Sequence, residues 1–160
     1  MDNVWIARAL ADVASLLEIQ GVNPFRVRAY ANAARTVRDH DERLSELVSD
    51  GADLTKLPGV GKEIARHIET LETQGEVLLF RELAFDVPIT LLELTRLPGL
   101  GAKKVKALWQ ELDVETIDDL DEAAKAGRVA VLSGFAEKTQ QKIVKSIEEF
   151  WFTIVKLPPK

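Results

Sequence analysis

Two copies of one short phrase set the frame for this chain. Thr55-Lys56-Leu57-Pro58-Gly59-Val60-Gly61-Lys62 and Thr95-Arg96-Leu97-Pro98-Gly99-Leu100-Gly101-Ala102 stand forty residues apart, and each closes one short apolar segment and opens another of helical period. Proline presets such a turn, and glycine takes dihedral angles or close approaches that a side chain forbids. The apolar residue between the glycines, Val60 or Leu100, is expected to point inward and pin the loop to a core. The first N–H groups of the following helix lack intrahelical partners and carry the positive end of the helix dipole, so they favour an anionic oxygen lying over them. The residues nominated for that contact are Gly59, Gly61, Lys62 and Glu63 in the first copy and Gly99, Gly101, Ala102, Lys103 and Lys104 in the second. The same phrase also serves as a plain turn between antiparallel helices, so the residues of one copy leave both readings open. Two matching frames, each followed by lysine, favour the anion site.

The rest of the chain reads as all-α. Val4, Ala7, Leu10, Ala11, Ala14 and Leu17 recur at helical spacing and predict an amphipathic helix to about Ile19, stopped by Gly21. Asn23 reads as an N-cap with Pro24 at the first helical position, launching a second helix through about Arg38. Further helices are expected from near Asp41 to Gly51, from Gly61 to about Thr73, over Glu76 to Phe85 and over Thr90 to Thr95. Three more follow, over Ala102 to Leu112, Thr116 to Ala126 with Thr116 as cap, and Ala136 to about Val155. The strand-like run Val129-Ala130-Val131-Leu132 is too short to pair with anything. Phe85-Asp86-Val87-Pro88 breaks the helical period between the two repeat units, which suggests one helical unit over 1–86 and another over 87–160. A third phrase of similar form, Leu132-Ser133-Gly134-Phe135-Ala136-Glu137, has Ser for Pro and Ala for the second Gly, and is read as structural packing.

Net charge opposes an anionic ligand on average, since the chain carries −5 at neutral pH. Its distribution matters more. Residues 21–38 hold Arg26, Arg28, Arg35 and Arg38 without an acid, and residues 94–110 hold Arg96, Lys103, Lys104 and Lys106 without one. Asp113, Glu115, Asp118, Asp119, Asp121 and Glu122 crowd a stretch without a base. Solvated helix faces would account for any one of these runs. The absence of cysteine removes disulfides and thiolate metal sites, and no apolar run has the length of a membrane span, so a cytoplasmic, nucleoid-associated location is the expectation.

Both phrases resemble the hairpin of the helix-hairpin-helix DNA-binding family. Ile19-Gln20-Gly21-Val22-Asn23-Pro24-Phe25-Arg26-Val27-Arg28-Ala29-Tyr30-Ala31-Asn32-Ala33-Ala34-Arg35 is similar to the start of the prokaryotic family X DNA polymerases, and the likeness runs from about Val4 to about Phe150. The resemblance implies a tandem helix-hairpin-helix bundle that corresponds to the small N-terminal DNA-end-binding domain and the fingers, without the catalytic palm. It implies DNA as partner, gapped, nicked or recessed and bound without sequence preference, together with a polymerase palm or another repair protein. It also implies a 5′-phosphate site on Arg26, with Arg28 and Tyr30 assisting and Tyr30 serving as hydroxyl donor or stacking platform. A guanidinium fork suits that role. Phe25 is expected to staple the helix start. Glu63 falls where relatives carry a phosphate-binding lysine, which weakens the pocket. No cofactor is required, but hairpin carbonyls in the family hold a monovalent cation. By position those are Thr55, Leu57 and Val60, then Thr95, Leu97 and Leu100, as a Na+ or K+ site.

Some members of that family act as lyases through a lysine Schiff base, and the corresponding position here is His67, with Leu79 at the secondary lysine position. Imidazole is not a primary amine, so no catalytic residue is assigned. Polymerisation needs carboxylates holding two metals, and the Asp-x-Asp at Asp39-His40-Asp41 joins two helices. Two alternatives stand beside DNA binding: a protein-interaction module that docks a basic partner on the acidic stretch, and a residual 5′-deoxyribose-phosphate lyase that uses Lys62. Trp5, Trp109 and Trp151 are expected in the core, with Trp151 the most exposed.

Overall fold

The computed structural model describes residues 2–21 and 23–156, and the chain divides into two compact units, residues 1–89 and 90–160. The division falls after Ile89, a few residues beyond the break at 86, because Val87 is buried and its N–H bonds back to the Ala84 carbonyl at 3.0 Å. Among the described residues every regular element is a helix.

In the first unit α1 (Asn3–Gln20) starts where Asp2 accepts the Trp5 N–H at 2.9 Å and stops at Gly21 in the left-handed region. α2 (Pro24–Asp39) has the expected Asn23 cap, whose side chain accepts the Phe25 N–H at 2.8 Å, with Pro24 at its first position. The two pack along their lengths. Tyr30, Ala33, Ala34 and Val37 form one stripe of α2, and Ile6, Leu10, Val13 and Leu17 supply the facing apolar side of α1. Each large aliphatic side chain buried there contributes about 1.5–3 kcal/mol.

α3 (Leu44–Ser49) begins later than the sequence predicts, at Leu44 rather than near Asp41. The cause lies forty-one residues away in sequence. Asn3 accepts the Leu44 N–H at 2.9 Å and donates to the Glu42 and His40 carbonyls at 2.8 and 3.3 Å, so residues 40–43 are held as a loop. A 3₁₀ turn (Leu54–Lys56) then leads through the first hairpin to α4 (Lys62–Gln74), which buries Ile64, Ala65, Ile68 and Leu71. α5 (Glu76–Leu83) ends short of the expected Phe85, at a broken backbone around Ala84, and leaves Phe85 82% exposed.

The second unit holds α6 (Leu91–Thr95), α7 (Ala102–Leu112), α8 (Ile117–Lys125) and α9 (Glu137–Lys156). Its core is built on Leu94, Val105, Leu108, Leu120 and Ile147. The Thr116 cap is a full capping box: Thr116 accepts the Asp119 N–H at 3.0 Å, and Asp119 accepts the Thr116 N–H at 3.3 Å. The run from Val129 to Leu132 is a turn, closed by the Leu132 N–H on the Val129 carbonyl at 3.2 Å. Trp5 and Trp109 are only half-buried and Trp151 is 40% exposed, so none of the three tryptophans belongs to the fully buried core.

Candidate nucleic-acid interface

Three turns in the chain share one backbone form. The Val60 N–H closes on the Leu57 carbonyl at 3.1 Å, Leu100 on Leu97 at 3.1 Å and Phe135 on Leu132 at 3.0 Å. In each the glycine inside the turn is left-handed, Gly59 at φ 75°, Gly99 at 84° and Gly134 at 84°. In each the residue two further on accepts the first bond of the next helix: Gly61 from Ala65 at 2.9 Å, Gly101 from Val105 at 3.0 Å and Ala136 from Gln140 at 2.9 Å. The phrase at 132–137, read from sequence as degenerate, is therefore a third hairpin of the same geometry. Ser133 for proline and Ala136 for glycine do not disturb it, because neither position needs a ring or a positive φ.

That equivalence separates the two glycines of each motif. Gly59 and Gly99 are required by their own dihedrals. Gly61 and Gly101 are not, since both sit in extended backbone, at φ −86° and −87°, that any residue adopts. Of the two roles expected of these glycines, a special dihedral angle or a close approach, only the second is left for Gly61 and Gly101. A Cβ built on Gly61 or Gly101 meets nothing within 4 Å. Helix capping does not account for them either, because Asn, Asp or Ser caps better than Gly. What a bare Cα offers at these two corners is room for something from outside.

Val60 and Leu100 are buried, as expected of residues that pin the loops. Gly61, Lys62, Glu63, Gly101 and Lys103 lie exposed, and Ala102 and Lys104 are half-buried. The first hairpin is also tied to α2, through the Thr36 hydroxyl donating to the Pro58 carbonyl at 3.0 Å. In the second unit Lys104 Nζ lies 5.8 Å from the centre of the Phe135 ring, which links the second hairpin to the third. The Leu57 and Leu97 carbonyls each accept the turn-closing bond and keep a second lone pair.

Beside the first hairpin the structure assembles a polar chain from α2, α4 and α5. Arg26 donates to Glu63 Oε1, the Tyr30 hydroxyl lies 3.2 Å from the same oxygen, and that hydroxyl also meets His67 Nδ1. Arg66 reaches His67 Nε2 at 3.4 Å and Glu82 at 3.8 Å. A single assignment satisfies the whole chain: neutral His67 donates from Nδ1 to the Tyr30 oxygen and accepts at Nε2, while Tyr30 donates to an ionised Glu63. The titration tendencies agree. Burial holds the His67 imidazole below its usual range, with the Arg66 charge adding to the effect. Burial would raise Glu63, but the Arg26 hydrogen bond and charge, with the Tyr30 hydroxyl, bring it below the ordinary carboxylate range. Burial, then the Glu63 charge, pushes the Tyr30 phenol up.

These contacts correct three expectations. Tyr30 is 1% exposed with its ring near-parallel to His67, so it is a core residue and offers no stacking platform. Arg26 is paired with Glu63 and is not an open phosphate fork, whereas the exposed guanidinium of Arg28 lies 4.7 Å from the centre of the Phe25 ring, a stacking that leaves its in-plane N–H donors free. Phe25 itself is 73% exposed and staples nothing. His67, at the position where a Schiff-base lysine was sought, is 1% exposed, and Leu79, at the secondary position, is fully buried. Sequence reasoning missed the Tyr30–His67 pair, whose thirty-seven-residue separation left no local signal. The acidic stretch is partly spent within the fold, Asp119 on the cap of α8 and Asp121 on Lys125 at 3.0 Å. Among the described residues no group of His, Asp and Glu could hold a metal ion, and no helix is long and apolar enough to cross a membrane.

Comparison with known proteins finds the same motif in both units. Residues 1–77 match the model of a helix-hairpin-helix domain, and residues 91–149 that of a SAM-like helix-hairpin-helix tandem. The chain is 35% identical over 144 residues to the DNA polymerase/3'-5' exonuclease PolX of Bacillus subtilis, covering 90% of this chain and 25% of that protein. It is 21% identical over 103 residues to the Holliday junction branch migration complex subunit RuvA of Nitrosomonas europaea, covering 64% of this chain and 53% of that protein. It thus spans about a quarter of the first relative and about half of the second.

Proposed function

From the premise that this chain belongs to the helix-hairpin-helix DNA-binding domains and resembles the N-terminal region of a family X DNA polymerase, we propose that it grips DNA through main-chain amides at its hairpins, without reading sequence, and favours gapped, nicked or recessed duplexes. One observation carries the reading: Gly61 and Gly101 keep a bare Cα where the fold accepts Ala136. A backbone phosphate oxygen resting over the first turns of α4 and α7 would need that space. There it meets unpaired N–H groups and the positive end of each helix dipole, and Lys62 and Lys103 add charge at the rim.

A Na+ or K+ ion on the carbonyls of Thr55, Leu57 and Val60, and another on those of Thr95, Leu97 and Leu100, would add a positive charge between loop and phosphate. Amide contacts of this kind position a duplex and carry no base information. Chemistry on the bound end falls to a polymerase palm or another repair protein.

A gel-shift series tests the reading, with gapped, nicked and blunt duplexes at two salt concentrations. Binding is expected to fall steeply with salt and to follow the order gapped or nicked over blunt. Gly61→Val and Gly101→Val are expected to weaken it far more than Trp151→Ala. Equal affinity for wild type and both glycine variants would defeat the proposal.

A further inference from the structure

We infer that the Glu63 carboxylate is a built-in competitor for phosphate, which makes the first unit indifferent to whether a DNA end at a break carries a 5′-phosphate. The inference rests on the DNA reading above and concerns its specificity. Arg26 is the fork such a phosphate would need, and Glu63 Oε1 already accepts from its Nη2. The carboxylate is also fixed from behind. It is 3.2 Å from the hydroxyl of Tyr30, a side chain that is itself immobilised in the core and bonded to His67.

Charge closes the case against an end phosphate at this place. Within the cluster the cations are matched, Arg26 with Glu63 and Arg66 with Glu82, while Tyr30 and His67 are neutral. An incoming phosphate monoester, with between one and two negative charges at neutral pH, must displace that carboxylate from Arg26 or share one guanidinium with it. Glu63 is the second residue of α4, directly after the hairpin, so a displaced carboxylate would still lie beside the phosphate held by that hairpin. The amides of the hairpin are untouched by any of this. They take a phosphate from within a strand, where no terminal group is required.

The test compares one gapped duplex carrying either a 5′-phosphate or a 5′-hydroxyl, and in parallel titrates inorganic phosphate into isotope-labelled protein while following the Arg26 side-chain and His67 ring resonances. Wild type should bind both duplexes within about twofold and show no saturable phosphate shift at Arg26. Glu63→Gln keeps an oxygen for Arg26 and Tyr30 while removing the charge. It should prefer the phosphorylated end by about tenfold, the value of a charge-assisted contact, and should acquire the Arg26 shift. Arg26→Gln added to Glu63→Gln should return the ratio to within about twofold. A wild-type preference for the phosphorylated end that Arg26→Gln abolishes would overturn the inference, as would an unchanged ratio in a folded Glu63→Gln. If Glu63→Gln does not fold, the wild-type ratio and phosphate titration decide alone. If no duplex binds at low salt, the DNA reading fails, while the phosphate titration still judges Glu63.

Discussion

Gly61 and Ala136 occupy the same backbone place in two turns of one form, each carbonyl receiving the first bond of the helix that follows at 2.9 Å, from Ala65 and from Gln140. A methyl group is thus compatible with the hairpin itself. Its absence at Gly61 and Gly101 reads as clearance for a ligand.

Gly61→Ala and Gly101→Ala should therefore fold normally, losing no more than about 1 kcal/mol as the helix cap weakens, yet bind a gapped duplex at least about tenfold more weakly. Gly59→Ala, at φ 75°, should instead lose about 1–2 kcal/mol of stability through backbone strain. Urea denaturation beside gel shifts separates the two classes. A fully binding Gly61→Ala would mean that nothing approaches that corner.

Salt should report how few phosphates are neutralised. Each contact contributes a slope of about −0.9 in log affinity against log salt, so replacing Lys103 by Ala should shallow the slope by about one unit while leaving any preference among duplex sequences unchanged. A sequence-dependent loss would point to base contacts that the amide geometry does not provide.

Tyr30→Phe removes the hydroxyl that joins Glu63 to His67 and leaves buried His67 Nδ1 short of its partner, while exposed Glu63 keeps Arg26. A loss of about 1–3 kcal/mol is expected in chemical denaturation, with DNA affinity unchanged. A selective loss of binding with full stability would restore Tyr30 to the ligand surface.

His67 makes stability fall on mild acidification. Its folded pKa is depressed by burial, so the unfolded chain takes up a proton more readily and stability is lost as pH drops below the unfolded value of about 6.5, until the lowered folded pKa is reached. Glu63, also depressed, contributes stability that is present above the ordinary carboxylate pKa and lost as pH falls through its folded value. Unfolding midpoints measured at pH 7.5 and 5.5 should therefore differ, and the difference should shrink in His67→Gln. An undiminished difference would place the titrating group elsewhere.

The caps at Asn23 and Thr116, the hairpin turns and the helical periods were legible because each is settled by residues within a few positions of one another. Turn and cap geometry is a local matter of φ, ψ and nearby donors. Those rules overran where a distant side chain intervened, as Asn3 does in holding residues 40–43 out of α3. The same limit governed the site. The chain's order of residues named the hairpin glycines and Arg26, but only the packing of α2 beside α4 brought Arg26 and Tyr30 onto Glu63 and closed the fork that the sequence appeared to leave open. Local chemistry thus determined the hairpin turns at which backbone binding of phosphate is proposed, and tertiary contact decided which charges are paired beside them, because an ion pair depends on distances that sequence separation does not encode.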